Sequence, residues 1–245
     1  MQGIVGFAGA AYFAVKRYHP DACRYLGLTG RVGWRPLAGV ILVFILGLPL
    51  LNWLVAVNES VTFPTWIGGL EGQLREWENA ARVMTEEMLG VVSLSGLILN
   101  ILIIGVLTGF CEEVFFRGAT QQMIGEVPVL RGGSAVWIAA IIFSAAHFQF
   151  FGFIPRMMLG VFFGYLLLST GSLWPGIFAH ALNNSLVVLT IWFEHHGNIL
   201  GFLQTCGVPE DGGFPWMAIV SALMLATFFV YWYNWFFVPQ IKEGE

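Results

Sequence analysis

Seven apolar runs recur along the chain, at about 1–15, 37–57, 91–113, 134–154, 157–171, 173–194 and 214–238. A helix needs about 20 mostly apolar residues to cross roughly 30 Å of hydrocarbon, and most of these runs are close to that length. Backbone groups in hydrocarbon must find their hydrogen bonds within the protein, which a helix does inside one segment. The expected fold is therefore all-α: a polytopic membrane helix bundle with about seven spanning helices. Composition agrees, with 11% charged residues among the 245, against roughly 25% in an ordinary soluble domain. The first run is short for a full crossing. Its basic residues follow the apolar stretch, the reverse of a cleaved signal peptide.

Lysine and arginine set the expected orientation. Lys16, Arg17, Arg24, Arg31 and Arg35 all fall between the first two runs, and the positive-inside tendency makes that loop cytoplasmic. By alternation Arg117, Arg131 and Lys242 also fall inside, while Arg75, Arg82 and Arg156 fall outside. The outer segments are acidic, with Glu59, Glu71, Glu76, Glu78, Glu86, Glu87, Glu194, Glu210 and Asp211. The net charge of -4 is thus a sum over two faces of opposite character. Cys23, Cys111 and Cys206 lie in three different compartments, so no disulfide framework or CxxC metal site is legible. Trp53, Trp137, Trp174, Trp216, Trp232 and Trp235 sit near run ends, where tryptophan anchors the interface.

The chain reads as a single integral-membrane domain over 1–245, with one non-spanning element. In "LEGQLREWENAARVMTEEML", residues 70–89, apolar Leu70, Leu74, Trp77, Ala81, Met84 and Met88 recur at steps of three and four. That spacing predicts an amphipathic interfacial helix, lying on the outer membrane surface or capping the bundle. Either a bland lid or a substrate-contacting one fits it.

Against this background "GFCEEVFFRG", residues 109–118, is anomalous. Ionisable groups at membrane depth are costly and face a bundle interior or a water-filled cavity, so each is a functional-site candidate. Glu113 and Arg117 are four apart with the acid first, so they share a helix face and can form a bidentate ion pair. Glu112 is rotated by about 100° from Glu113 and is left free to point elsewhere. His147 lies on the fourth run, four after Phe143, and His180 on the sixth, four before Asn184. A glutamate, two histidines and an amide can thus converge from three helices. Such a set can hydrolyse: a carboxylate takes a proton from water, one histidine positions that water, and a histidine and an amide meet the developing oxyanion. One buried ion pair or one core histidine alone is more often a packing device. His19, His195 and His196 lie in loops and read as solvated.

"EEVFFR" matches EExxxR, "FSAAH" matches FxxxH and "HALNN" matches HxxxN, in that order and each on an apolar run. In these three motifs the chain resembles the CPBP family, the CAAX-protease and bacteriocin-processing membrane proteins that include type II CAAX prenyl endopeptidases. The resemblance covers about 91–194, which it marks as the catalytic core. It implies an all-helical intramembrane endopeptidase, a peptide hydrolase cleaving near the cytoplasmic membrane face. Carried over by motif, Glu112 is similar to the water-activating glutamate, and His147 to the histidine that holds the water. His180 and Asn184 correspond to the oxyanion groups, and Glu113, Arg117 and Phe143 to supporting positions. Asn183, three from His180, competes with Asn184 for that face.

Members of this family are often called metalloproteases, and Glu112, His147 and His180 are acceptable zinc ligands. There is no HExxH, however, and a glutamate acting as the base cannot comfortably also be a ligand. The reading is therefore of no cofactor, with zinc on those three residues as the alternative. Expected partners are the lipid bilayer and a peptide or protein substrate, lipidated or not, with no nucleic acid. The expected location is a bacterial inner (plasma) membrane, the active site toward the cytoplasm. Two other classes fit the composition. A non-catalytic scaffold or immunity protein of the same family is opposed by the intact motif set, and a transporter by the lack of a visible inverted repeat.

Overall fold

The computed structural model describes residues 2–90, 92–197, 201–210 and 212–236. The described residues form an all-α bundle. In chain order its helices are α1 Gln2–Tyr18, α2 Ala22–Tyr25, α3 Trp34–Glu59 and α4 Gly68–Leu89. Next comes α5, Leu94–Glu126, followed by α6 Gly133–Ala145, α7 Phe153–Thr170, α8 Trp174–Glu194, α9 Gly201–Thr205 and α10 Trp216–Phe236.

Four helices, α3, α5, α7 and α8, are long and apolar enough to cross a membrane; α6 and the stretch Trp216–Trp232 of α10 are shorter apolar helices. Of the seven expected spans, those at 1–15, 134–154 and 214–238 are not among the four. The run at 134–154 does not form one span, because α6 stops at Ala145 and α7 starts at Phe153. Between them the chain turns through Phe148, which has φ 54, and the His147 ring folds back onto the Phe143 carbonyl. The run at 91–113 does not stop at its charges: α5 continues to Glu126 through two wide-turn π segments, Ile101–Leu107 and Val114–Gln121. Its 33 residues make about 50 Å at the usual rise, so its last turn reaches the basic loop, where Gln122 and Glu126 bond the backbone and ring of Tyr25. The first run forms α1, which has 17 residues and packs Ala11 and Val15 against Val114, Ala119 and Leu26. Asp211, Lys242, Val91 and positions 237–238 of the last expected run lie outside the described residues, as does the side chain of Trp235.

The two ends of the bundle differ. At one, Leu173 N–H donates to Gly27 O and Trp174 Nε1 to Leu28 O, tying the basic loop to the start of α8. At the other lies α4, with its polar face turned inward: Glu78 accepts the Phe151 N–H at 3.0 Å, and the Arg75 guanidinium lies 4.0 Å over the Phe151 ring. The apolar side of α4, Leu70, Trp77, Met84 and Met88, is exposed. An isolated surface helix in water would do the opposite; an apolar side in the membrane interface and a polar side over a wet cavity is what a bilayer favours. Glu71 braces the start of the helix. Its carboxyl is held below the usual range, first by the Phe63 N–H and then by Arg75.

Small residues bring the central helices together. A Cβ on Gly109 would sit 3.0 Å from Ala181 N, and one on Gly105 would collide with Ser185, so α5 and α8 meet through a small-xxx-small seam on both sides. Gly160 and Gly164 on α7 form a second seam, against Arg117, Ala140 and Val136.

Enclosed by these seams is the Glu113–Arg117 pair, both side chains fully buried. The contact is a single one, Arg117 Nη1 to Glu113 Oε1 at 2.7 Å, and not the bidentate fork expected. Oε1 also accepts from His180 Nδ1 at 2.8 Å, so one carboxylate oxygen is shared between Arg117 and His180. Arg117 instead lies 4.2 Å over the Phe143 ring and 5.4 Å over that of Phe163. Removing one member of a buried pair leaves an uncompensated charge, at a cost of about 3–5 kcal/mol. Arg117→Ala should accordingly lower the melting temperature in detergent sharply. An unchanged melting temperature would show that the pair is not structural.

Candidate active site

Three elements deliver the polar groups. Glu112 occupies Thr108–Glu113, the stretch of ordinary α-helix between the two π segments of α5. The next residue along, Glu113, points into the buried pair, and the 100° step between them turns Glu112 toward a less enclosed space where its side chain is 14% exposed. His180 lies on α8, whose first turn carries Pro175 and closes against Glu113 through Gly176. His147 sits just past the end of α6 on the turn to α7.

That turn is held from several sides. Ser144 Oγ donates to Phe153 O at 2.7 Å, and buried Asn58 of α3 accepts from Ile154 N–H at 2.8 Å while donating to Phe150 O at 3.3 Å. Glu78 of α4 takes the Phe151 N–H, as above. The residue after His147, Phe148, has a positive φ, uncommon for a bulky residue and costing of order 1 kcal/mol or more.

The two imidazoles present the same atom to Glu112. His147 Nδ1 lies 2.8 Å from Phe143 O, an acceptor only, so Nδ1–H donates. His180 Nδ1 donates to Glu113 Oε1 at 2.8 Å. Each ring therefore turns Nε2 toward the Glu112 carboxylate: His180 Nε2 is 3.6 Å and His147 Nε2 3.9 Å from Glu112 Oε2. Both separations are too long for a direct hydrogen bond and are of the order at which a water can mediate. The His180 ring stacks on Phe163, with centroids 5.1 Å apart, and meets the edge of Phe143 at 5.7 Å. Phe143 also touches His147 and Arg117, so this single ring packs the site together.

Asn184 makes its hydrogen bonds outside this group. Its Nδ2 donates to Ile104 O of the first π segment, and its Oδ1 accepts from Asn183 Nδ2, each at 3.2 Å. One amide hydrogen of Asn184 is left over for a ligand. Among the described residues no group of three His, Cys, Asp or Glu side chains is arranged to hold a metal ion; a catalytic zinc takes three protein donors at about 2.0–2.2 Å.

The sequence reading does not reach Asn58, Ser144 or Gln149, and places Glu78 and Arg156 only as outer charges, because it looks for ionisable groups inside runs and for motif letters. Asn58 carried a usable signal, a fully hydrogen-bonding amide at the end of an apolar run. Gly105-xxx-Gly109 and Gly160-xxx-Gly164 were also readable as close-packing seams. A polar space walled by α4 and by Gln149, Phe151, Gly152 and Arg156 lies at the end of the bundle away from the basic loop. The expectations of an outer α4 and a site open to the cytoplasm therefore pull apart in this fold.

Residues 94–186 match the family model described as "Type II CAAX prenyl endopeptidase Rce1-like". The matched segment runs from the start of α5 to two residues past Asn184, and so holds Glu112, His147 and His180. The chain is also similar to an uncharacterized protein of Bacillus subtilis, YpbD, with 30% identity over 100 residues, 39% of this chain. The alignment spans 48% of that relative's length. No solved structure matches the chain. The family match covers less than half of the chain, and over 94–186 the chain is similar to the Rce1-like type II CAAX prenyl endopeptidases.

Proposed function

We propose that the chain is an intramembrane endopeptidase that cleaves its substrate with a water activated by Glu112. The observation that carries the reading is the convergence of two imidazole Nε2 atoms on one partly exposed carboxylate, at 3.6 and 3.9 Å, beside a second carboxylate already committed to an ion pair. Glu112 accepts a proton from water, whose other hydrogen is held by His147 Nε2. The water oxygen bonds to the scissile carbonyl carbon, and the carbonyl oxygen becomes the oxyanion. His180, whose Nδ1–H is held by Glu113, turns Nε2 toward that oxyanion as a donor. The free amide hydrogen of Asn184 is the second donor. Glu112 then passes its proton to the leaving nitrogen as the C–N bond breaks. The substrate class suggested by the family description is a prenylated peptide ending in a C-a-a-X sequence.

The two adjacent glutamates should separate by variant. Glu112→Gln should keep the melting temperature and lose turnover by about 10²–10⁴, the scale of a general base. Glu113→Gln should lower the melting temperature and keep residual turnover in the fraction that folds. Single-turnover cleavage and thermal melting in one detergent read both, with and without a zinc chelator. Equal loss of turnover in two fully stable proteins contradicts the division, and chelator loss restored by zinc replaces the metal-free route.

The proposed location is a bacterial plasma membrane with the basic loop in the cytoplasm. Cys23, on α2 in that loop, is exposed, whereas Cys111 and Cys206 are buried. A membrane-impermeant maleimide should label Cys23 only after intact cells are opened, which puts the α4-walled mouth of the site on the outer face. Labelling of intact cells reverses the orientation and restores a cytoplasmic mouth.

A further inference from the structure

The polar face of α4 and the turn between α6 and α7 line an open cavity of about 540 Å³, to which Gln149, Phe151, Gly152 and Arg156, just after His147 in the chain, contribute. Three arginines line it, and two are engaged: Arg75 is paired with Glu71 at 2.8 Å and Arg82 with Glu86 at 3.2 Å. The third, Arg156, is different. Its hydrogen bonds go to Gln149, Nη2 to the side-chain oxygen at 2.5 Å and Nη1 to the backbone oxygen at 3.5 Å. None of the ion pairs among the described residues includes it. The acids that face the cavity are Glu59, Glu78 and Glu86; Glu78 spends one oxygen on the Phe151 N–H.

A guanidinium has five N–H donors in a planar fork, and Gln149 takes two of them. The fork lies flat against Gly152, where an added Cβ would come 3.0 Å from Nη2, so the glycine makes room for it. Arg156 is also within electrostatic reach of Glu78, Glu112 and His147. A half-buried guanidinium with no carboxylate in direct ion-pair contact, Glu78 and Glu112 acting on it only from a distance, is costly to keep, and its geometry suits a carboxylate.

We infer that Arg156 binds a carboxylate of the peptide substrate, resting on the peptidase reading above, and so fixes how far from that carboxylate the bond at Glu112 is cut. The group bound is the terminal carboxylate of the peptide backbone or an acidic side group near that terminus; both present the same two oxygens to the fork.

The test uses the full-length protein in detergent, carrying Glu112→Gln so that binding is read without turnover. The probe is a fluorescent farnesylated peptide ending Cys-Val-Ile-Met, as the free acid, as the C-terminal amide, and as an amide with Asp in the last position. The acid should bind about tenfold or more tighter than the amide, the scale of a charge-assisted hydrogen bond. Adding Arg156→Gln should erase that difference, and Arg156→Lys should retain part of it. If Arg156→Gln melts early, Gly152→Ala, which displaces the fork and keeps the charge, should shrink the preference instead. Tight binding of the Asp amide assigns the carboxylate of an acidic residue, and weak binding assigns the backbone terminus. Equal binding of acid and amide by the parent, or a preference that survives Arg156→Gln in a folded protein, overturns the inference. Cleavage of the same acid peptide by the unmutated protein is followed in parallel. Carboxylate preference without cleavage sinks the peptidase reading and leaves the carboxylate site standing, whereas cleavage with a preference indifferent to Arg156 does the reverse.

Discussion

An ion pair with no access to water, Glu113 with Arg117, is the constraint around which the core is arranged. Burying two charges costs several kcal/mol each before their attraction is counted, so the surroundings must recover the loss. They do so through the His180 Nδ1–H on Glu113 and the rings of Phe143 and Phe163 on Arg117. Some donors and acceptors stay unmet: Glu113 Oε2, Arg117 Nε and Arg117 Nη2 have no partner among the described residues. The pair is therefore a poor device for stability alone. Its effect is to hold one imidazole in one orientation, with Nε2 aimed at Glu112.

The packing that makes this possible is small-residue packing. Gly109 lets α5 approach the backbone of Ala181, the residue after His180, and Gly160 lets α7 lie against the Arg117 guanidinium. In a bilayer there is no hydrophobic drive between helices, so close backbone approach and buried polar contacts decide which helices meet. The two π segments flank Glu112 and Glu113, and wide turns of this kind recur at functional sites. The Ile104 carbonyl in the first of them receives Asn184.

Much of the helical architecture could be read from apolar runs, because long runs with few charges are what bilayer-spanning segments require. The same signal failed at 134–154, where hydropathy is continuous but the backbone is not: Phe148 turns the chain and Gly152 receives a guanidinium, and neither event changes apolarity. It failed again past Glu113, since hydropathy counts a buried, paired charge like a solvated one. The i,i+4 spacing did locate the Glu113–Arg117 contact, but not that His180 competes for the same oxygen and reduces the fork to one bond. For α4 the periodicity gave the helix; which side faces the protein depends on Phe151 and the cavity beside it, which lie far along the chain.

The central claim is that Glu113, Arg117 and His180 act as one unit. A double-mutant cycle on Glu113→Gln and Arg117→Gln, read by unfolding free energy in one detergent, tests it most directly. Strong coupling is expected, the double variant losing clearly less stability than the sum of the two singles, with the excess near the upper end of the roughly 0.5–3 kcal/mol seen for contacting residues. Losses that simply add would mean that the two charges are independently accommodated, and the account of the core would be wrong.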